Sequence, residues 1–566
     1  MNTLNNYFFL SVLLMLGCSN ILAQNLSLKV LGSSELETKI IDSLSYKSSF
    51  ENYKTLNEEV VLINKRLQSL GYIENVLVDT EKINDSLYQS TFNLKQRFYT
   101  IYIYYAKNLI SIELIKAISS DYNDEYFALP IREIEGALGF INSKLANKGM
   151  PFSEFSLQNI EKVNNDKLKA DLLIDKNSVR NIDKVLIKGY EQFPKSYLKH
   201  FLKIKEGQLF NLDVIKKKTD LLNDLNFANQ VKTPEVLFTK DSTSLYLYLE
   251  KTKSNSFDGF LGFGTNETTN KLEFDGYLNL ILNNSLNYGE QFNLVYKSDE
   301  NDQKTFKANL SLPYLFGSPF GTELALNIFK KDSTFTTVNQ EVNIFYEINP
   351  KNKLIIGANI VQSNNLLEQQ SLNSDISDFN SQFIKAKYSF KQVRRIDLLF
   401  PIDFFAEASL GFGNRRSNNE SIKQKEIKVK ASKNFNLDDK NIIYIKTEGN
   451  TLTSNTYLTN ELFRFGGINS IRGFEENSIL ASQYGFANLE YHYRVNSVMN
   501  IHTITDIAYL ENKLINFKEK LFGFGFGFGI LTKAGLLKLI YANGKSENQK
   551  FRLSNSKIHI SLNVIF

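Results

Sequence analysis

Four histidines, His200, His492, His502 and His559, and one cysteine, Cys18, are the imidazole and thiol side chains of this 566-residue chain. The histidines fall at no metal-ligand spacing and read as surface or lumen side chains. No nucleophile is paired with a placed histidine in the way acyl-transfer chemistry requires, so the chain reads as having no catalytic residue, no metal site and no cofactor. Gly523-Phe524-Gly525-Phe526-Gly527-Phe528-Gly529 is rich in glycine. It fails as a phosphate cradle, because its spacing is not G-x-G-x-x-G and no helix follows. The net charge is only +5, and the densest basic cluster, Lys216-Lys217-Lys218, suits the solvated face of a helix. Nucleic acid is therefore not the expected partner. The most specific stretch that remains is Phe465-Gly466-Gly467-Ile468-Asn469-Ser470-Ile471-Arg472-Gly473-Phe474, an arginine among glycines.

The elements that must position this stretch are strands. From about Ser256 onward the pattern has period two, as in Ile558-His559-Ile560-Ser561-Leu562-Asn563-Val564, and polar turns recur, such as Ser298-Asp299-Glu300-Asn301-Asp302 and Ser417-Asn418-Asn419-Glu420-Ser421. Alternation lets one face meet lipid and the other a wet lumen, while a closed cylinder pairs every backbone group. A membrane strand needs about 9–11 residues, and the ~310 residues that remain can supply about sixteen strands with their connections. The 44 Phe and 28 Tyr fit the aromatic girdles of such a barrel. In the glycine run, strict alternation sets all the Phe rings on one face, expected toward lipid, and the glycines toward a crowded lumen.

One apolar run, Tyr7 to Leu16, is too short to span a bilayer as a helix, which takes roughly 20 residues. It reads as a signal peptide over residues 1–23, with cleavage after Ile21-Leu22-Ala23. Leu16-Gly17-Cys18 also has the form of a lipoprotein processing box, so lipidation at Cys18 stays open.

Between these ends the chain repeats itself. Leu56, Val60, Ile63, Leu67 and Leu70 make one apolar helical stripe, opened by a Thr55/Glu58 capping box and ended by Gly71. Ile131, Ile134, Leu138, Ile141 and Leu145 make a second, ended by Gly149, and a third helix over Leu212 to Leu225 ends at Asn226 as a left-handed cap. These ends lie 78 and 77 residues apart, the signature of an internal repeat. Strand candidates at Leu26–Leu31, Tyr99–Tyr105 and Asp183–Lys188 open the three units. Each unit is strand, two helices, strand, strand, over residues 24–97, 98–178 and 179–253, and 254–566 is the barrel.

The repeat resembles the POTRA domain. Its third copy carries the clearest likeness in Val185-Leu186-Ile187-Lys188-Gly189-Tyr190 and Ile204-Lys205-Glu206-Gly207-Gln208-Leu209-Phe210. The stretch Gly466, Gly467, Ile471, Arg472, Gly473, Phe474 resembles the sixth-loop signature of the BamA/TamA family of outer-membrane barrels. That resemblance implies that the loop folds back into the lumen and that Arg472 pairs with an acidic residue on an inner strand. The matching strand is Ile504-Thr505-Asp506-Ile507-Ala508, which makes Asp506 the partner, although Ala508 stands where the family has Gly. The resemblance further implies a lateral seam between the first strand, with Gly259, Gly262 and Gly264, and the last, ending at Phe566. The implied fold is a set of α+β repeats followed by an all-β transmembrane barrel of sixteen antiparallel strands. The implied protein is non-enzymatic and sits in the outer membrane of a Gram-negative bacterium, with its N-terminal domains in the periplasm. It would take unfolded outer-membrane or secreted clients and insert or export them into or across the lipid bilayer. Accessory periplasmic or lipoprotein partners are left open. The rival expectation is a two-partner secretion translocator dedicated to one secreted protein. That family has fewer POTRA copies and a plug helix, whereas here a strand candidate follows Gln24 directly.

Overall fold

The computed structural model describes residues 25–565 except 108–109, 176–177, 266–271, 299–302, 368–374, 395–396, 398, 533–534, 548–552 and 554–555. The expected signal peptide, Cys18 and Phe566 lie outside the described residues. Contacts divide the chain into two units, residues 1–180 with 209–212, and residues 181–208 with 213–566.

The first unit holds two repeats. In the first, β1 (Leu26–Gly32), α1 (Glu35–Asp42), β2 (Ser49–Phe50), α2 (Tyr53–Ser69), β3 (Val76–Lys82) and β4 (Leu87–Asn93) form a sheet of order β2-β1-β4-β3. The opening strand lies parallel to the closing one, because two helices intervene, and β3–β4 is an antiparallel hairpin. The α2 stripe Leu56, Val60, Ile63 and Leu67 is buried with Leu28, Val30 and Phe92 in one core. The helix begins two residues before Thr55. Asn52 is the cap, its Oδ1 accepting from Thr55 N at 3.0 Å, so the expected Thr55/Glu58 box does not form. In the second repeat, β5 (Thr100–Tyr104), α3 (Ile112–Lys116), β6 (Tyr126–Pro130), α4 (Ile134–Ala146), β7 (Glu154–Lys162) and β8 (Lys167–Asp175) give order β6-β5-β8-β7. Both repeats thus carry an extra edge strand between the helices. A two-residue β2 has no period to read, and β6 ends in Pro130, which cannot donate to a ladder.

The second unit opens with β9 (Lys184–Lys188), a π-turn at Tyr197–Phe201, α5 (Leu212–Asp220), β10 (Ala228–Phe238) and β11 (Thr243–Lys251), in sheet order β10-β11-β9. After α5 a short 3-10 turn ends with Leu225 already extended, at φ −77° and ψ 143°. Asn226 is therefore not a left-handed cap. The chain runs straight on into β10, and the Asn226 amide donates to Asn283 Oδ1 at 3.0 Å.

The barrel begins with β12 (Ser256–Thr265), β13 (Leu272–Asn283), β14 (Gln291–Ser298), β15 (Gln303–Leu312), β16 (Phe320–Lys331), β17 (Phe335–Asn349), β18 (Asn352–Asn365) and β19 (Phe379–Val393). It continues with β20 (Ile402–Ser417), β21 (Glu420–Asn436) and β22 (Asn441–Thr453). A small ribbon, β23 (Phe463–Phe465) with β24 (Ile479–Ala481), lies in the next loop. Then come β25 (Gln483–Asn496), β26 (Met499–Asn512), β27 (Phe517–Leu531), β28 (Gly535–Ser546) and β29 (Ser556–Ile565). Sixteen antiparallel strands close into a cylinder, the β23–β24 ribbon standing apart. No described helix is long and apolar enough to cross a membrane. Turn chemistry matches: β20 and β21 are joined by Asn418 and Asn419, both at positive φ (48° and 63°), as a tight type I′ hairpin demands.

The third repeat is fixed to the turns β13–β14, β15–β16 and β17–β18. The Tyr190 hydroxyl accepts from the Asn284 amide and donates to Asn287 Oδ1, both at 2.7 Å. Tyr197 is buried, and its burial pushes the phenol pKa well up, so it stays a neutral donor to Gly289 O at 3.2 Å. Tyr314 meets its ring edge-on at 5.0 Å, and His200 reaches Gly317 O at 2.8 Å. Gly289, at φ +78°, has no room for a side chain, since a Cβ would lie 2.1 Å from the Tyr197 ring. Gly289→Val should therefore weaken this docking by about 1–3 kcal/mol. The check is protease cleavage between Lys251 and Ser256, faster in the variant while the barrel's melting temperature holds.

Candidate functional site

Strand β26 shows how the barrel aims its side chains. Asn500, His502, Ile504, Asp506, Ala508, Leu510 and Asn512 are buried, and Ile501, Ile507 and Tyr509 between them are exposed. Period two thus sets Asp506 on the inner face, midway along the strand. The loop between β22 and β25 folds back onto that face. Its Ile471 is fully buried with Phe465, Ala481, Tyr484, Phe486, Ala508, Leu510 and Leu521, and Phe465 stacks on Tyr484 at 4.3 Å. Ala508, where the resemblance implied Gly, contributes its methyl group to this cluster.

The structure brings Arg472 and Asp506 together. Arg472 Nε donates to Asp506 Oδ2 at 2.8 Å, Nη2 to Oδ1 at 2.5 Å, and its backbone N–H also reaches Oδ2 at 2.9 Å. The planar fork fixes the carboxylate in two-point contact. The Asp506 side chain is 0% exposed and that of Arg472 5%, so each charge depends on the other. Arg472 Nη1 has a second partner, Glu490 on β25. Glu490 accepts from His492 Nε2 at 2.7 Å, and Asn500 donates to His492 Nδ1 at 2.8 Å. The rings of His492 and His502 stack at 4.5 Å.

Reasoning from the sequence missed Glu490 and this histidine pair. Their signal was the β25–β26 register, in which His492 faces His502 and Asn488 faces Asp506. Among the described residues no group of three or more His, Cys, Asp or Glu is arranged to hold a metal.

The motif glycines have steric reasons. Gly466, Gly467 and Gly473 sit at φ +115°, +91° and +88°, a region other residues rarely adopt. A Cβ on Gly473 would lie 2.2 Å from Gly544 N on β28, and one on Gly523 would lie 2.5 Å from Arg472 O. The glycine face of β27 therefore admits the loop, while Phe524 and Phe526 face outward, exposed. Phe474 packs partly buried against the Ile471 cluster. A further anchor lies at the loop's start. Glu461 pairs with Arg415 on β20 and accepts from the Gln424 amide on β21 at 2.9 Å, and both partners of the ion pair are buried.

The seam is thinly paired. Among the described residues β12 meets β29 only at Ser256↔Ile565 and Phe257↔Val564, whereas β12–β13 pairs along its whole length, Ser256↔Ile281 to Thr265↔Leu272. Gly259, Gly262 and Gly264 all pair toward β13, and the structure does not join them to β29.

Two family profiles match the chain: the Omp85 superfamily domain over residues 283–563, and the POTRA profile, described as a surface antigen variable number repeat, over 181–252. Among solved structures, the fold is similar to BamA from Haemophilus ducreyi lacking POTRA domains 1–3. That match has TM-score 0.51 and 14% identity, covering 82% of this chain and 99% of that one. It is also similar to CdiB from Acinetobacter baumannii, with TM-score 0.50 and 13% identity, covering 90% and 98%. No curated protein sequence matches it. The POTRA repeats, the closed sixteen-stranded cylinder and the two profile matches together place this chain in the Omp85 superfamily, as an outer-membrane β-barrel that serves protein insertion or transport.

Proposed function

We propose that this protein receives unfolded outer-membrane clients on its POTRA domains, in the periplasm, and inserts them into the outer membrane through the β12–β29 seam. The observation that carries the reading is the two-pair seam. Beyond Phe257, the backbone of β12 presents N–H and C=O groups unpaired on the side facing β29, and an unpaired edge is a template for another strand. A client strand added there would gain ladder hydrogen bonds in a setting where lipid offers none. The POTRA sheets also end in edge strands, β3, β7 and β9 among them, which could hold a client extended before it reaches the seam. Arg472, Asp506 and Glu490 hold the inward-folded loop that shapes the lumen beside this seam. The work is the lowering of a kinetic barrier, without covalent chemistry.

A disulfide across the seam tests this. With Ser256→Cys and Ile565→Cys, which are Cα partners, oxidation should reduce insertion of a purified barrel client into liposomes at least about tenfold, and reductant should restore it. Undiminished insertion by the oxidised protein would refute the seam as the exit.

A further inference from the structure

The loop that carries Arg472 continues as Gly473-Phe474-Glu475-Glu476, and these two carboxylates reach opposite sides of the seam. Glu475 Oε1 lies 3.2 Å from Lys557 Nζ near the start of β29, and Glu476 Oε2 lies 3.7 Å from Lys297 Nζ near the end of β14. In the cylinder β29, β12, β13 and β14 are successive neighbours, so the pair of carboxylates spans β12 and β13. Lys557 and Lys297 are also at the opposite end of their strands from the two backbone pairs of the seam among the described residues, Ser256↔Ile565 and Phe257↔Val564. One end of the seam is held by a short ladder, and the other by side chains from the loop.

The motif glycines make room for the Glu476 carboxylate and the Glu475 backbone. A Cβ on Gly467 would lie 2.3 Å from Glu476 Oε2, and one on Gly466 would lie 2.4 Å from Glu475 O. The turn that buries Arg472 is therefore the one that delivers Glu475 and Glu476. We propose that Glu475 and Glu476 are positioning residues that clasp the β12–β29 seam shut, tying its state to the seating of the Arg472 loop. This rests on the reading of that seam as the exit for clients. The Glu475, Lys557 and Lys297 side chains are each about two-fifths or more exposed. Such pairs are weak and screened by salt, which suits a clasp that must release. Two of them bias an open-to-closed ratio by roughly two- to tenfold.

Spin-label distances across the seam test the clasp without any client. Labels go on Tyr277→Cys of β13 and Ile558→Cys of β29, in full-length protein in nanodiscs with Cys18→Ser. The unsubstituted loop should give one dominant short distance. Glu475→Gln with Glu476→Gln should raise the share of a longer distance by roughly two- to tenfold. The charge exchange Glu475→Lys, Glu476→Lys, Lys557→Glu, Lys297→Glu should return it to the starting distribution. An unchanged distribution in the double glutamine variant overturns the proposal, and so does a broadened one that charge exchange fails to restore. A distribution that shifts and recovers as expected, in a protein whose cross-linked seam still inserts clients, would leave the clasp standing and refute only the exit reading.

Discussion

Asp506→Ala should release the inward loop, at a cost of about 3–5 kcal/mol to its seated state. The substitution removes the acceptor for three donors of Arg472, the backbone N–H, Nε and Nη2. Glu490 remains, but it faces Nη1 and already accepts from His492. It cannot supply the two-point contact that Asp506 makes, so a guanidinium would be left partly unpaired in a buried site. That penalty outweighs anything the loop's exposed pairs can offset, since those are worth about 0–1 kcal/mol each. Trypsin cleavage after Arg472 in proteoliposomes is the measurement. Wild type should resist, and Asp506→Ala should be cut at least about tenfold faster while the barrel keeps its heat-resistant mobility. Equal resistance would show that the apolar cluster around Ile471 holds the loop by itself. Arg472→Ala removes that cleavage site, so its effect is read instead as lower insertion activity in a folded barrel.

Gly473→Val should release the same loop by a route that involves no charge. At φ +88° a β-branched residue carries about 1–3 kcal/mol of backbone strain. Its Cβ would also press on Gly544 N at 2.2 Å, a backbone atom within a paired strand that cannot move aside. Overpacking of that kind adds about 1–3 kcal/mol. The same trypsin assay should therefore show rapid cleavage after Arg472. The double variant with Asp506→Ala should be cut no faster than the quicker single variant, because either substitution alone costs enough to unseat the loop. A double variant cut much faster than both would mean that each single variant leaves most loops seated.

Much of this architecture is legible from spacing alone, because the physics that sets it is local. A stripe at Leu56, Val60, Ile63 and Leu67 can bury one face only as a helix, and the left-handed glycines at Gly71 and Gly149 end two of the helices. Period two in β26 places Asp506 inward whatever surrounds it. Features that depend on partners distant in the chain were not legible. The edge strands β2 and β6 exist because a neighbouring strand pairs with them, not because their own few residues demand extension. Glu490, His492 and His502 look scattered until the β25–β26 register sets them side by side. The register of the seam is equally silent in the sequence: among the described residues β12 pairs Gly259, Gly262 and Gly264 with β13 and meets β29 only at Ser256 and Phe257. The Glu475–Glu476 pair gives no signal of its own, since its lysines lie 82 and 179 residues away.

The measurement that bears most directly on the whole account is quantitative proteomics of the outer membrane after depletion of this protein. Insertion of many clients through the seam predicts a loss of numerous β-barrel proteins together, before growth slows. Loss of a single secreted protein, with the other barrels at their normal levels, would contradict broad assembly and point to dedicated export. An unchanged proteome would contradict both and leave a barrel whose seam has another use.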